Sequence, residues 1–339
     1  MSRRDPVPMG EEEWRDLEAA FEEASRLQGE ALDAFLHELA SRKPRLAEEV
    51  ASMLAAAAAS GETRFASPEL APGLAPGGAE ETWLGRDVGP FRIEALIGEG
   101  GMGRVFLAER REGFSQTVAV KMLRGAMEGT VFARRFLRER ATLARLNHPH
   151  IAGLVDGGAL EDGTPWLAME HVSGRTLLEH CEEAGLGLPA RVDLLIQVVD
   201  ALQFAHQQLV VHRDVKPSNI LVATGEHAML LDFGISKLLE EGPEEGEELT
   251  LPQAPLYTPE YASPEQMRGE AVGTTSDIYA AGVVLFRLAS GRLPFDGEGV
   301  TRFEWTRMVS EQDAPPLRSV APRAPRDLEA IVARCLARE

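Results

Sequence analysis

"VVHRDVKPSNIL", residues 210–221, is the stretch on which the fold turns. Its flanks are aliphatic, Val210 and Val211 before and Ile220, Leu221 and then Val222 after, so both ends read as buried strand. Between them lies a polar cluster from His212 to Asn219. Burying such groups costs free energy unless they are partnered or put to use. Asp214 can accept a proton from a hydroxyl, Lys216 can neutralise a phosphoryl group in transfer, and Asn219 can hold a metal ion. Downstream, "LLDFGISK" (230–237) sets Asp232 after a second aliphatic run. Asn219 and Asp232 together offer amide and carboxylate oxygens, a donor set that suits Mg²⁺.

Upstream, "IGEGGMGRVFLAER" (97–110) spaces Gly98, Gly100 and Gly103 as G-x-G-x-x-G. Two folds use that spacing. In a dinucleotide-binding turn a helix follows. Here Val105 to Ala108 follow, which reads as a strand, so the glycines cap a hairpin of the kind that covers ATP phosphates. Glycine there lets backbone N–H groups approach phosphate without a side-chain clash. "VAVK" (118–121) then ends an apolar strand on Lys121. A cation turned inward needs an anionic partner. Glu139, on the helix predicted to open in "RRFLRERATLARLNHPHI" (134–151), is the expected carboxylate; Glu128 falls before that helix and is expected in solvent.

Taken in order, these motifs resemble the eukaryotic-type protein kinases of the Ser/Thr class, over roughly Val88 to Glu339. The resemblance implies an α+β, two-lobed fold, with a small β-rich N-lobe carrying one helix and a larger helical C-lobe. It implies ATP in the cleft between them, with Mg²⁺ or Mn²⁺. The glycine loop with Ile97 and Val105 would cover the nucleotide. Ala119 and Leu221 would sandwich adenine, and the hinge would be Glu170, His171 and Val172 after a gatekeeper Met169. Lys121, paired with Glu139, would hold the α- and β-phosphates. Asp214 would orient and deprotonate the substrate hydroxyl, Lys216 would steady the γ-phosphate, and Asn219 and Asp232 would bind the metal.

Further segments are similar to the same family. In "YTPEYASPEQ" (257–266) Thr258 would contact the catalytic Asp and Lys, and Pro264–Glu265 would end the activation segment, with Ser263 where alanine is usual. In "SDIYAAGVVLF" (276–286) Asp277 would hold the backbone of the catalytic loop. His206, His212 and His148 read as packing, hydrogen-bonding or turn residues, not bases. In the family the helix ending in "RCLARE" precedes another that carries an Arg partner for Glu265; no such residue follows here, so the expectation is either a fragment of a longer protein or an incomplete C-lobe, which would expose apolar surface. Tyr257 stands where a small residue is common.

The run "LLEEGPEEGEELT" (238–250) carries six glutamates with Gly242, Pro243 and Gly246, a composition that cannot form core. It falls within the implied activation segment, which must move. Phosphorylation orders such loops by pairing with arginine. Arg213 is the implied receiver and Thr250 the first candidate for modification, ahead of Ser236 and Tyr257. The glutamates are either plainly solvated or supply Arg213 with a partial phosphate substitute.

Before the kinase-like region, Glu11 to Ala59 shows three short apolar stripes at helical spacing: Trp14, Leu17, Phe21; then Leu32, Phe35, Leu36, Leu39; then Leu46, Val50, Met53, Leu54. Residues 60–81 are rich in Pro, Gly and Ala and lack periodicity. The division expected is a helical module at 1–60, a linker at 61–87, an N-lobe at 88–170 and a C-lobe at 171–339. The first module is either a spacer or a partner-binding element.

Composition narrows the function. Lys+Arg 35 against Asp+Glu 54 gives a net charge of -19, which argues against a general nucleic-acid binder. Two distant cysteines, Cys181 and Cys335, suggest a reducing compartment. No signal peptide opens the chain, and no apolar run reaches the ~18 residues that cross a bilayer. The expectation is a cytoplasmic enzyme, with an anchor beyond residue 339 left open. It would phosphorylate protein Ser/Thr residues and itself, by self-association. A nucleotide-holding interaction module of the same fold is the alternative.

Overall fold

The computed structural model describes residues 83–338 except 101–102, 112, 124–139, 234–257 and 298, together with isolated positions between 20 and 47. Glu139, Thr250 and the acidic run therefore lie outside the described residues. The chain divides into two units, Met1–Glu69 and Leu70–Glu339. In the first, Ala20, Ala24, Phe35, Leu36, Leu39, Ala40, Arg42, Leu46 and Ala47 are helical.

In the second unit apolar and polar residues alternate from Phe91 onward and build a twisted antiparallel sheet. Its strands are β1 (Asp87–Val88), β2 (Phe91–Gly100), β3 (Gly103–Arg110), β4 (Thr117–Leu123), β5 (Leu154–Ala159) and β6 (Pro165–Glu170), in the order β1-β2-β3-β4-β6-β5. Phe91 and Ile93 are buried while Arg92 and Glu94 are exposed, the period of two that a one-sided sheet requires. Phe91, Phe106, Val118, Val120 and Trp166 form the core beneath, with Phe91 and Trp166 edge to face at 6.1 Å.

One glycine is demanded by that sheet. Gly103 has φ +144, and a Cβ there would lie 1.9 Å from the carbonyl oxygen of Met122 on β4. Gly98 is different, because its nearest obstacle would be Val105 Cβ at 3.8 Å. Gly103→Ala is therefore expected to destabilise by about 2 kcal/mol or more. Gly98→Ala should change stability by less than about 0.5 kcal/mol and act on nucleotide KM instead. Thermal unfolding and ATP titration of the two variants check this.

The larger lobe begins with β7 (Gly174–Thr176), α1 (Leu177–Glu183) and α2 (Leu188–Gln207). Leu194, Leu195, Val198, Ala201, Leu202 and Ala205 make the inward stripe of α2 at spacings of one, three and four. Strands β8 (Ile220–Ala223) and β9 (His227–Leu230) pair with β7 in a small second sheet, order β7-β8-β9. Then come α3 (Pro264–Met267), α4 (Thr274–Ser290), α5 (Arg302–Glu311), α6 (Leu317–Val320) and α7 (Arg326–Cys335). Helix α4 is buried on nearly every side, from Ser276 through Leu288, so the other helices pack around it. Ile278 and Ile331, on α4 and α7, remain about half exposed.

Two of the three tyrosines report on this core. Burial pushes the Tyr279 phenol well above its ordinary range. Burial also raises Tyr261, although the Arg287 guanidinium at its hydroxyl opposes the shift. A proton held more tightly in the folded state contributes stability below the phenol's ordinary pKa of about 10 that is lost as pH rises through the folded value. Alkaline titration followed at 295 nm should show two tyrosines resisting ionisation until the protein unfolds. Smooth titration of all three near pH 10 would contradict the packing.

Candidate active site

The polar cluster read first in the sequence lies in the irregular loop 212–216 and the 3₁₀ turn Pro217–Asn219, immediately before β8. Asp214 is 8% exposed. Its Oδ2 accepts from Lys216 Nζ at 2.7 Å and from Asn219 Nδ2 at 3.1 Å, and its Oδ1 from the Thr258 N–H at 3.2 Å. Lys216 Nζ also donates to Thr258 Oγ1 at 2.5 Å. A carboxylate has about four acceptor positions. Among the described residues three are filled by groups that aim it, which leaves one for a hydroxyl.

The loop itself is held from beneath. Asp277 is 1% exposed. It accepts from the backbone N–H of His212 and of Arg213, each at 2.8 Å, and lies 2.8 Å from His206 Nε2. Gln266 Nε2 donates to the Arg213 carbonyl at 2.7 Å. Arg213 has φ 71, a left-handed backbone that side chains other than glycine rarely adopt. Both of its backbone polar groups are thus tied to side chains from the α3–α4 region, which over-determines the strained conformation. His212 is fully buried and reaches the Leu231 carbonyl through Nε2 at 2.7 Å, a packing residue as expected.

Register assembles the other half. Val105 pairs with Lys121, Leu107 with Ala119, and Ala119 with Met169. Paired residues share a face, so Val105, Ala119, Lys121 and Met169 line one side of the sheet. Ile97 sits at an irregularity between Leu96 and Gly98 and is 46% exposed. Glu170 ends β6 and its N–H donates to the Gly153 carbonyl at 2.8 Å; Val172 follows in the connection to β7. Leu221 is on β8, opposite Met229 and Thr176.

Lys121 is 4% exposed, and its Nζ lies 2.7 Å from Asp232 Oδ2. Among the described residues its partner is therefore Asp232, while the expected partner Glu139 lies outside them. Asp232 has φ 61, a second left-handed position flanking the site. Asn219 spends both protons of its amide nitrogen on Asp214, which leaves Oδ1 to other partners. Asp232 keeps Oδ1. Two hard oxygens, completed by water and phosphate, fit Mg²⁺, and an open position at Gly98 fits phosphate.

Sequence reading missed two ties: it did not see Gln266 reaching Arg213, and gave Glu265 no partner. His206, read as a packing and hydrogen-bonding residue, meets Asp277. Glu265 in fact accepts from Ser276 Oγ at 2.5 Å. Ser263, in place of the usual alanine, caps α3 through a reciprocal box with Gln266.

A glycine hairpin over a lysine-bearing strand, facing a carboxylate loop pinned by a central helix, is the arrangement of a protein kinase. Residues 91–339 match the family model described as protein kinase domain, and the chain belongs to that family, in its bacterial serine/threonine branch. It is 41% identical over 236 residues to serine/threonine-protein kinase pkn3 of Myxococcus xanthus, covering 67% of this chain and 42% of that protein. It is 36% identical over 253 residues to PrkC of Bacillus subtilis, covering 74% and 38%. Among solved structures, the PknI kinase domain of Mycobacterium tuberculosis superposes with a TM-score of 0.56 at 30% identity, over 75% of this chain and 89% of that one. The chain thus spans about two fifths of the length of these curated relatives.

Proposed function

We propose that the chain carries an active Ser/Thr protein kinase that moves the γ-phosphoryl group of ATP to protein Ser/Thr hydroxyls, its own activation segment included. The observation that carries this reading is the Lys216–Thr258–Asp214 contact, which joins the segment that would dock a peptide to the group that would receive the proton.

Bound Mg·ATP or Mn·ATP would supply the transferable phosphoryl group. Ile97, Gly98, Gly100, Gly103 and Val105 would cover it, Ala119 and Leu221 would hold adenine, and the backbone of Glu170 and Val172 would bond its edge. Lys121, with Glu139 as its partner, would hold phosphate, while Asn219 and Asp232 would hold the cation. Asp214 orients the acceptor hydroxyl and takes its proton, and Lys216 balances the charge that shifts during transfer. Arg213 would receive a phosphate from Thr250. The intact Lys121, Asp214, Asn219 and Asp232 favour this over a non-catalytic module. The division at 1–60, 61–87, 88–170 and 171–339, a cytoplasmic site of action and self-association complete the proposal.

Incubation with Mg·ATP beside Asp214→Asn, followed by phosphate mapping by mass spectrometry, tests it. Phosphate on Thr250 or its neighbours in the unaltered protein alone is expected. ATP binding without any transfer, to itself or to an added protein, would leave only the interaction module.

A further inference from the structure

The peptide unit between Arg213 and Asp214 is the last piece of backbone before the reacting carboxylate, and it is held at both ends. The Asp214 N–H donates to His212 Nδ1 at 3.3 Å. That nitrogen accepts because the other, Nε2, donates to the Leu231 carbonyl. The Arg213 carbonyl accepts from Gln266 Nε2 at 2.7 Å. Asp277 grips the N–H groups of His212 and Arg213, which belong to the two preceding peptide units. Rotation of the 213–214 unit would break the bond to Gln266 or to His212 and swing the Asp214 side chain with it.

The Gln266 amide is itself oriented. Gln266 is 6% exposed and Ser263 is fully buried. Gln266 Oε1 accepts from the Ser263 N–H at 3.1 Å and from its hydroxyl at 3.3 Å, and that hydroxyl accepts in turn from the Gln266 N–H at 3.4 Å. The Ser263 N–H can only donate and the Arg213 carbonyl can only accept, so one orientation of the amide serves both neighbours. With Oε1 turned to the serine, Nε2 faces the catalytic loop. Alanine at 263 would leave the backbone donor and remove the hydroxyl.

The pair closes the segment that opens at Thr258. Tyr261, Ala262, Ser263 and Pro264 are buried between them, and the Trp305 indole N–H of α5 donates to the Pro259 carbonyl at 3.0 Å. Thr258 reaches the Asp214 carboxylate and Gln266 reaches the peptide behind it. One short, packed segment therefore holds the reacting residue by its side chain and by its backbone.

We propose that Gln266, oriented by Ser263, is a positioning residue for phosphoryl transfer: its amide fixes the peptide plane from which Asp214 projects, and so the direction in which the carboxylate meets the acceptor hydroxyl. The proposal rests on the protein kinase reading. Among the described residues the bonds of these two side chains run to each other and to Arg213, so their effect belongs to the transfer step and not to nucleotide binding.

The test is steady-state transfer to a serine peptide beside urea unfolding of the same proteins. Gln266→Met keeps the length of the side chain and removes both ends of the amide. Its kcat should fall about tenfold or more, since a small displacement of a reacting group acts on rate, with KM for ATP and for peptide each within twofold. Gln266→Glu keeps the oxygen that Ser263 uses but turns an anionic oxygen on the Arg213 carbonyl, and should lose at least as much. Ser263→Ala, the mild variant, should cost about threefold in kcat, in line with one lost hydrogen bond, and nothing further in the Gln266→Met background. Urea unfolding should register its lost helix cap in both backgrounds. An unchanged kcat in Ser263→Ala or in folded Gln266→Met would overturn the proposal. So would a loss carried by peptide KM, or a Ser263→Ala loss equal in both backgrounds, which would reduce the serine to a cap. Absence of transfer by the unaltered protein would overturn the kinase reading and this proposal with it.

Discussion

Asp277→Ala is expected to lower stability by about 3–5 kcal/mol, the range for removing one partner from a buried charged network. The carboxylate is 1% exposed and serves two backbone N–H groups and the His206 ring. Each stranded donor costs about 1–3 kcal/mol, and relaxation or an entering water recovers part of the total. The variant also frees Arg213 to leave its left-handed conformation, and Asp214 moves with it. Misplacement of the reacting carboxylate by about 1 Å is enough to cost about 100-fold in turnover. Asp277→Asn keeps one acceptor oxygen and should fall between the two proteins. Urea unfolding and kcat measured together decide the matter. Stability within about 1 kcal/mol of the unaltered protein would be inconsistent with an effect of this class and would show that the network does not hold the loop.

Lys216→Met should reduce kcat by about 100- to 1000-fold, the usual effect of removing one charge-stabilising donor, with little change in ATP affinity. Lys216 touches both Asp214 and Thr258, at 2.7 and 2.5 Å. Thr258→Val removes only the hydroxyl and should reduce kcat by about tenfold, in line with one lost hydrogen bond. Because the two side chains form one contact, the double variant should lose less than the product of the single losses. Strict multiplicativity would mean that lysine and threonine act separately, and the docking segment would then have no direct link to the catalytic carboxylate.

Much of this site is legible in the sequence because its elements are local. The aliphatic runs at 118–120, 220–222 and 228–230 mark strands that carry Lys121 or adjoin Asn219 and Asp232, whereas Val210 and Val211, also read as strand, lie outside any strand. The roles of Thr258 and Asp277 came from motif resemblance, and the hydrogen bonds expected of both are present. Contacts without a local signature were invisible. Lys121 and Asp232 are 111 positions apart, and nothing near either names the other. A clasp of His150 on the Ala228 carbonyl and His227 on the Pro149 carbonyl joins a turn to a hairpin 77 residues later through backbone carbonyls, which every residue owns. Strand β5 went unread because Gly157 and Gly158 break its apolar pattern. A Cβ at Gly158 would come within 3.0 Å of the Trp166 ring, so those glycines make room for the neighbouring strand.

The clasp has a mechanical consequence. Backbone bonds between the 150–152 segment and Leu230, together with the two imidazole bridges, fasten the β5–β6 end of the upper sheet to the lower lobe. That end is therefore the pivot. Motion that admits or releases nucleotide must grow with distance from it and be greatest at the β2–β3 tip around Gly100–Gly103. The upper lobe would then swing like a door hung along one edge, and stiffening the hinge side would slow the swing without touching a single group that handles phosphate.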